Sequence, residues 1–365
     1  PSPTGMQGPM RRFAPDTLRR IGCALFEAVG CSAEDARTVT EHLVESSLFG
    51  HDSHGILRFY EYVDFIEQGV FAAHGQPTVV RERGSMAVVD GGGAMGQVGG
   101  QFANELAMSK AREHGVGSVA LRNTCHVGRV GAYPLAAARQ GLIAVAYVNA
   151  GHLGRQIAPW GGIDGKLSTN PIAFAAPRRD GEPIMVDMAT SVTAEGKIRV
   201  AQNRGESVPE GWIIDHEGQP TTDPEDYLGE QGGAILPLGG VAGYKGYCLG
   251  FTVEVLGGLL SGEGCAAGDR TMHSNGVLFT VYDPSLFTED DAYQEELENL
   301  IRHVHTSRVD PAIGEILLPG EPEFRSARQR QRNGIAVDDT TWARIVDAAR
   351  GLGLNPDPWE DEALQ

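Results

Sequence analysis

The segment from His51 to Arg58, HDSHGILR, is the stretch that decides how we interpret the fold and the chemistry of this chain. Its pattern predicts a helix over residues 56–68, with His54 and Arg58 four positions apart on one helix face. An arginine binds a carboxylate through two parallel hydrogen bonds, and a histidine beside it can move a proton at the neighbouring carbon. The segment indicates a carboxylate site, although a surface helix carrying an unrelated histidine and arginine fits it equally well.

Helical spacing continues on both sides of this segment. We predict helices at 16–29 and 33–48, the second capped by the Ser32 hydroxyl, and Gly69 ends the helix over 56–68. These segments are expected to lie in one helical subdomain.

A different pattern begins near Val79, where short apolar runs alternate with helices and glycine-rich loops. This alternation is typical of an α/β body. The predicted strands are 85–89, 117–121, 142–148, 172–176 and 184–187, and the further predicted helices are 101–114, 246–260 (buried), 289–305 and 339–352.

The chain therefore divides into three parts. Residues 1–10 are expected to be a disordered tail or a remnant of cloning. Residues 11–75, with 335–365, form the helical subdomain that supplies dimer contacts, and residues 76–334 form the cofactor-binding α/β domain.

The glycine motif Gly91–Gly96 satisfies G-x-G-x-x-G between a predicted strand and a predicted helix, which is the setting of a Rossmann pyrophosphate loop. Three features weaken that interpretation. Asp90 precedes the first glycine, Gly99 and Gly100 delay the predicted helix, and the next strand ends at Arg122 rather than at a ribose-binding acid. A flexible turn is the alternative that we favour.

Composition excludes several classes of partner. The chain has 365 residues and a net charge of −18, without a run of lysine or arginine that could follow a phosphate backbone. Nucleic acid and anionic membranes are therefore not expected partners. The longest apolar runs, such as Leu142 to Val148, are far shorter than the roughly 20 residues of a membrane-spanning helix.

Five scattered cysteines, without a C-x-x-C pair, argue against a disulfide framework and a structural zinc site. We expect a soluble protein of the reducing cytoplasm, with the cysteines as small buried apolar residues.

Further motifs are spread over nearly the whole chain. They are Asp52-Ser53-His54-Gly55 with Arg58, Asn123-Thr124-Cys125-His126-Val127-Gly128, Gly131-Ala132-Tyr133, Ala158-Pro159-Trp160-Gly161-Gly162, Ser168-Thr169-Asn170-Pro171, Val186-Asp187-Met188-Ala189-Thr190-Ser191, Pro237-Leu238-Gly239-Gly240, Gly243-Tyr244-Lys245-Gly246 and Leu318-Pro319-Gly320-Glu321. Together they resemble the malate/L-lactate dehydrogenase family of the second type. That family includes L-sulfolactate, ureidoglycolate and diketogulonate dehydrogenases or reductases and the piperideine-2-carboxylate/pyrroline-2-carboxylate reductases.

The resemblance implies an α/β fold in which NAD or NADP binds on a large mixed, mostly antiparallel sheet unrelated to the Rossmann topology. It also implies a homodimer with active sites between domains. By motif, His54 looks like the proton donor or acceptor, Asp187 like the acid that orients an imidazole, and Ser53, Arg58 and Thr169 like substrate-binding residues. The expected cofactor contacts are Met188, Ala189, Thr190, Ser191, Lys245, Gly246, Pro319, Gly320 and Glu321, and no metal site is expected.

Three of these assignments have open alternatives. His126, in a loop between Thr124 and Gly128, is a second catalytic candidate or a histidine that holds backbone. Asp187 could instead cap a strand end or contact a cofactor ribose, and Lys245 could bind an anionic cofactor group or be solvated.

The leading hypothesis is hydride transfer between NAD(P)H and C2 of a small 2-oxo or 2-hydroxy acid. Reduction of a cyclic imino acid differs only in the group at one carbon. A non-enzymatic ligand-binding homologue, or a metal-dependent hydrolase built on His51, His54 and His126, is a remoter alternative. The residues expected to separate substrates are Asn149, Gly151 and His152, and those near a cofactor 2′-phosphate are Lys197, Arg199 and Arg204.

Overall fold

The structure is a computed structural model that describes residues 10–151, 154–267 and 274–364. Residues 1–9 of the predicted tail, and His152 of the predicted substrate pocket, lie outside the described residues. Of the helices in the described ranges, none is both long and apolar enough to cross a membrane.

Strands and helices alternate along the chain, as the sequence pattern predicts for an α/β fold. The strands are β1 (Met10–Phe13), β2 (Thr78–Arg83), β3 (Met86–Asp90), β4 (Val116–Arg122), β5 (Ile143–Asn149), β6 (Ile172–Ala176), β7 (Ile184–Met188), β8 (Ile213–Ile214), β9 (Pro220–Thr221), β10 (Ala234–Ile235), β11 (Gly276–Tyr282), β12 (Ile335–Asp338) and β13 (Ala363–Leu364). The α-helices are α1 (Pro15–Ala28), α2 (Ala33–Leu48), α3 (Arg58–Glu67), α4 (Gly96–His114), α5 (Ala132–Ala138), α6 (Glu195–Arg204), α7 (Pro224–Leu228), α8 (Tyr244–Val253), α9 (Asp290–His305), α10 (Glu321–Asn333), α11 (Asp339–Gly351) and α12 (Asp357–Glu360).

A seven-stranded mixed sheet forms the centre of the molecule, in the order β2-β3-β4-β11-β5-β6-β7. The pairing of β3 with β4 is parallel and the other pairings are antiparallel. The prediction of a large mixed, mostly antiparallel sheet is therefore confirmed. One face of this sheet carries α4 and α5, whose buried alanines Ala103, Ala107 and Ala137 let the helices approach the strands closely.

A second layer brings the two ends of the chain together. Strand β1 pairs with β12 and β13, and Phe13 stacks on Trp342 with ring centroids 4.3 Å apart. Helices α1, α2, α3 and α11 bury one continuous apolar core, to which Phe324 of α10 also belongs. This packing fixes the segment between α2 and α3 against the edge of the large sheet.

The start of α2 follows the predicted cap. The Ser32 hydroxyl accepts a hydrogen bond from the Asp35 amide at 3.1 Å, which satisfies one of the free N–H groups of the first turn. The predicted helix over 56–68 starts later than expected, since α3 begins at Arg58 and a separate 3₁₀ turn covers Asp52–His54. His54 and Arg58 therefore do not share a helix face, and that prediction was wrong.

Two other helix predictions need correction. Helix α4 begins at Gly96 rather than at residue 101, so Gly99 and Gly100 lie within it. A Cβ at either position would come within 2.6 Å of Thr124 or Tyr133, respectively, so close packing explains both glycines. The segment predicted as one buried helix over 246–260 is α8 followed by a π-helix over Glu254–Leu259, and many of its apolar side chains are exposed.

Candidate active site

A cavity of about 410 Å³ lies where the Asp52–His54 turn, the loop after β4 and the loop after β7 meet. Such a volume suits a small ligand and part of a cofactor. A larger cavity, about 570 Å³, between α1, α2, α4 and α5 contains none of the predicted site residues. The predicted site residues that line the 410 Å³ cavity are Ser53, His54, His126, Thr169, Asp187, Met188, Ala189 and Ser191.

Two histidines, 72 positions apart in the chain, share one wall of this cavity. The rings of His54 and His126 stack with centroids 5.4 Å apart. The Nδ1 atom of His54 lies 2.9 Å from the Ser53 hydroxyl oxygen. Burial, and then the charge of Arg58, lowers the pKa of His54 to about 3, so its imidazole is neutral near pH 7.

The His126 loop is held by side chains from distant elements. Tyr62 of α3 places its hydroxyl oxygen 2.6 Å from His126 Nδ1. The Tyr133 hydroxyl donates to the Val127 carbonyl at 2.6 Å, and the Arg129 amide donates to His42 Nε2 at 2.9 Å. The loop is therefore rigidly placed against α2 and α3 before any ligand binds.

Asp187 supports this same loop. Its Oδ2 accepts a hydrogen bond from the Gly131 amide at 2.9 Å, and a Cβ at Gly131 would come within 2.6 Å of that oxygen. Within the described residues no hydrogen bond joins Asp187 to His54. The structure therefore does not pair this carboxylate with the imidazole of His54, a pairing that was expected from the sequence. The carboxylate nevertheless lines the cavity.

Arg58 lies behind the cavity wall. Its Nε donates to the Ser53 carbonyl at 2.8 Å and its Nη1 pairs with Glu61 one turn along α3. The guanidinium thus ties the turn to the helix and adds positive charge behind His54. It comes close to His54 because the chain turns between the two residues, and not through a common helix.

Thr169 lies on the opposite wall and is placed by an irregular backbone. The next residue, Asn170, has a φ of +38°, a conformation rare for residues other than glycine. Its side-chain amide donates to the buried carboxylate of Glu254 at 2.7 Å, which holds this strained position. Asn149 is fully buried behind the wall, where its side-chain Oδ1 accepts a hydrogen bond from the Gly151 amide at 2.9 Å.

The loop after β7 offers groups that fit the anionic part of a dinucleotide. It leads into α6, whose N-terminal residues reach the cavity, where Lys197 also lies. The buried Thr193 hydroxyl has no hydrogen-bond partner within the described chain. A helix N-terminus, a hydroxyl and a lysine together suit a phosphate. Arg199 pairs with Glu195, and Arg204 lies in the last turn of α6.

The remaining predicted cofactor residues do not line the 410 Å³ cavity. Thr190 is buried and donates to the Thr169 carbonyl, and Gly246 packs on Leu238, where a Cβ would come within 2.2 Å of a carbonyl oxygen. Lys245 is exposed on α8. The segment Pro319–Glu321 packs on β7, since the Pro319 carbonyl accepts from the Met185 amide at 3.1 Å.

The glycine motif Gly91–Gly96 packs against neighbouring backbone of the same chain. The Gly93 amide donates to the Asn123 carbonyl, and Cβ atoms at Gly91, Gly92 and Gly96 would come within 2.7 Å of backbone carbonyls. None of these glycines lines the 410 Å³ cavity. The motif is a packed turn in this structure.

Sequence reasoning missed several residues of the site, among them Tyr62 and Asn275, whereas Thr193 lies in the segment 188–194 in which the resemblance implies cofactor contacts. Asn275 lines the cavity and accepts from the Val127 amide at 2.9 Å. Tyr62 has the spacing of the apolar side of the helix predicted over 56–68, and a buried tyrosine hydroxyl needs a polar partner, so that requirement could have identified it.

Comparison with known proteins finds relatives along nearly the whole chain. A profile of the family described as malate/L-lactate dehydrogenase matches residues 13–346. A malate dehydrogenase of Pyrococcus horikoshii is 37% identical, over 94% of this chain and 96% of that protein. The structure of a sulfolactate dehydrogenase from Methanocaldococcus jannaschii has a TM-score of 0.87 at 33% identity and covers 96% of this chain and 99% of its own.

A reductase has a similar fold. The structure of a Δ1-piperideine-2-carboxylate reductase from Pseudomonas syringae pvar. tomato has a TM-score of 0.82 at 29% identity, with 93% of this chain and 100% of that chain covered. With the family profile spanning most of the chain, these comparisons establish an oxidoreductase. The protein belongs to the malate/L-lactate dehydrogenase family.

Proposed function

We propose that this oxidoreductase transfers a hydride between a nicotinamide cofactor, NAD or NADP, and the C2 carbon of a small acid: the reduced cofactor reduces a 2-oxo acid, and the oxidised cofactor oxidises the 2-hydroxy acid. The observation that carries the proposal is the pair of stacked histidines that lines one cavity together with Ser53 and Thr169. Two imidazoles beside hydroxyl groups suit proton transfer at a carbon next to a carboxylate.

His54 is proposed as the group that moves the proton. Its imidazole is neutral in the ligand-free site, because burial and the charge of Arg58 lower its pKa to about 3. A neutral imidazole accepts the hydroxyl proton when a hydroxy acid is oxidised. A bound substrate carboxylate raises the pKa of His54 by its negative charge, which helps the imidazole carry a proton for the reverse reaction.

The substrate carboxylate is proposed to lie near Ser53 and Thr169, whose hydroxyl groups face the same cavity. Arg58 adds its charge from behind the Ser53 turn, and Asp187 keeps the His126 loop in place through Gly131. The carboxylate is held by hydroxyls and by charge, and C2 then lies between the histidines and the loop after β7.

Residues 188–194 and Lys197 are proposed to hold the cofactor. A nicotinamide cofactor, when bound, supplies the hydride acceptor or donor. The Thr193 hydroxyl and the N-terminus of α6 would bind its phosphates, and Leu238 would pack against it. This arrangement uses the loop after an antiparallel edge strand, and for that reason we infer a cofactor site unrelated to the Rossmann motif.

A cyclic imino acid is the second candidate substrate. The likeness to a Δ1-piperideine-2-carboxylate reductase favours it. The same histidines can protonate an imine nitrogen in place of a carbonyl oxygen, so the chemistry at C2 is otherwise unchanged.

A reductase screen tests both candidates. NADH and NADPH are supplied in parallel with pyruvate, oxaloacetate, sulfopyruvate, a diketo sugar acid and a five- or six-membered cyclic imino acid. We expect oxidation of one cofactor with at least one of these acids and loss of that activity in His54→Asn. A protein that binds the cofactor but reduces none of them contradicts the proposal.

We also propose a homodimer joined through α8 and the π-helix, a different surface from the helical subdomain of 11–75 and 335–365 to which the sequence analysis assigns dimer contacts. Phe251 and Leu259 are 54% and 55% exposed there, although such side chains are usually covered. Closed two-fold dimers are the commonest oligomers, and a second copy offers the same apolar face. Light scattering should show a dimer, and Phe251→Glu should shift it towards monomer; a monomeric active wild type would contradict this proposal.

A further inference from the structure

Two buried polar side chains, Gln97 and Tyr62, form a hydrogen-bonded chain that ends on the half-buried His126. Gln97 of α4 and Tyr62 of α3 are each 1% exposed. The Gln97 Nε2 lies 3.3 Å from the Tyr62 hydroxyl oxygen, which lies 2.6 Å from His126 Nδ1. The same Nε2 lies 3.4 Å from the backbone carbonyl oxygen of His126. The three side chains come from two helices and a loop that packing brings together.

The direction of these hydrogen bonds follows by elimination. A backbone carbonyl only accepts, so the Gln97 atom facing the His126 carbonyl must be the amide nitrogen. That nitrogen therefore also donates to the Tyr62 hydroxyl oxygen. The Tyr62 hydrogen is left for the remaining contact, His126 Nδ1, because so buried a hydroxyl does not reach bulk water.

We propose that Tyr62, oriented by Gln97, is a positioning residue that holds neutral His126 in the tautomer with its hydrogen on Nε2. An imidazole that accepts at Nδ1 carries its single hydrogen on the other nitrogen. His126 then presents an N–H donor, whereas His54 is the group that takes the proton. This inference rests on the proposed function, since it assigns His126 a hydrogen bond to the substrate atom on C2.

Tyr62 is suited to this task over the whole working pH range. Burial raises its pKa to about 12, so the phenol keeps the hydrogen that it donates. Neutral histidine donors stabilise a developing negative oxygen without titrating themselves. The Nδ1–H tautomer of His126 would instead point the lone pair of Nε2 at that oxygen, and the lone pair would repel its developing negative charge.

The direct test is the tautomer of His126, measured by ¹H–¹⁵N correlation NMR of the imidazole nitrogens in the ligand-free protein, with His126→Asn used for assignment. We expect the Nε2–H form in the wild type and a mixture or the Nδ1–H form in Tyr62→Phe. The control is Tyr133→Phe, which removes another buried hydroxyl that supports the same loop but bonds a backbone carbonyl. The control should keep the Nε2–H form.

Kinetics give a second measurement. Tyr62→Phe should lower kcat by about tenfold, as expected for one hydrogen bond that acts in the transition state, with KM changed less than about twofold. An Nδ1–H tautomer in the wild type, or an unchanged tautomer in Tyr62→Phe, overturns this inference whatever the activity. Full activity in His126→Asn would instead contradict the role of His126 in the proposed function.

Discussion

One wall of the cavity carries two histidines, and the chain holds them in different ways. The turn around His54 is held partly by neighbours in sequence, since Ser47 accepts the Ile56 amide at 3.0 Å and the Ser53 carbonyl accepts from Arg58 at 2.8 Å. Arg330 of α10 also pairs with Asp52 of this turn, but the contact of the His54 ring with a hydroxyl comes from its own neighbour, Ser53. The His126 loop is held by side chains from α2, α3 and β7, far away in the chain.

This difference explains why one histidine is visible in the sequence and the other needs the structure. Local contacts leave a local pattern, as in HDSHGILR. Contacts such as Tyr62 to His126, 64 positions apart, leave none. It also suggests different tasks, because an imidazole bonded to a buried tyrosine suits a fixed donor, whereas an imidazole bonded to an exposed serine suits a group that gains and loses a proton.

The largest expected effect is on turnover in His54→Asn. Asparagine keeps a polar side chain but cannot titrate, so kcat should fall by roughly 10² to 10⁴. His126→Asn, which removes a donor, should cost about 10- to 100-fold. Stopped-flow and steady-state kinetics measure both, with the exposed His303→Asn of α9 as the control. If kcat fell further in His126→Asn than in His54→Asn, His126 would be the group that moves the proton and His54 the fixed donor.

Arg58→Lys should affect substrate affinity more than turnover. Lysine keeps the charge but cannot bond Ser53 and Glu61 as a planar guanidinium does, so the turn loosens and KM rises by about tenfold. Arg325→Lys on the surface of α10 is the matched control. An unchanged KM would show that Arg58 neither holds the turn in its binding geometry nor attracts the carboxylate.

The support of the His126 loop should make stability depend on pH. Burial, and then Arg129, lowers the pKa of His42 to about 3, below the value near 6.5 of an unfolded chain. The unfolded state therefore binds the proton first, and stability is complete above about pH 6.5 and declines as the pH falls towards 3.

At pH 5, which is 1.5 pH units below the pKa of histidine in the unfolded chain, the protein should have lost about 2 kcal/mol of the stability that neutral His42 contributes at pH 7. His42→Gln can still accept the Arg129 amide but does not titrate, so the loss of stability between pH 7 and pH 5 should be smaller than in the wild type. Urea unfolding at the two pH values measures it. Equal pH dependence in both proteins would argue against a neutral buried His42.

The smallest effect on function is expected at Gly93. Gly93→Ala should leave cofactor affinity within about twofold, since this residue faces Ala72 rather than the cavity, while its φ of +73° should make alanine cost about 1 kcal/mol of stability. Fluorescence titration with NADH and NADPH, together with urea unfolding, separates the two quantities. A hundredfold loss of affinity in a folded protein would restore the Rossmann interpretation.

Much of the secondary structure was predictable from the sequence. Helix α2 and strand β6 have the predicted bounds, because capping and apolar spacing act within a few residues. Strand β11 is absent from the predicted set although it lies in the middle of the sheet. It is buried on both faces, so it shows no alternation of apolar and polar residues, and its partners β4 and β5 precede it by more than a hundred positions.

The sequence by itself determined the family, the helical ends and the closeness of Ser53, His54 and Arg58, since these depend on local spacing and on motifs, although it predicted a helix where the structure has a turn. Only the tertiary structure decided that His126 stacks on His54, that Asp187 holds the Gly131 amide and that the glycine motif packs on its own backbone. The physical reason is that a hydrogen bond between distant segments depends on how whole helices and strands pack, and a pattern of a few residues cannot encode that packing.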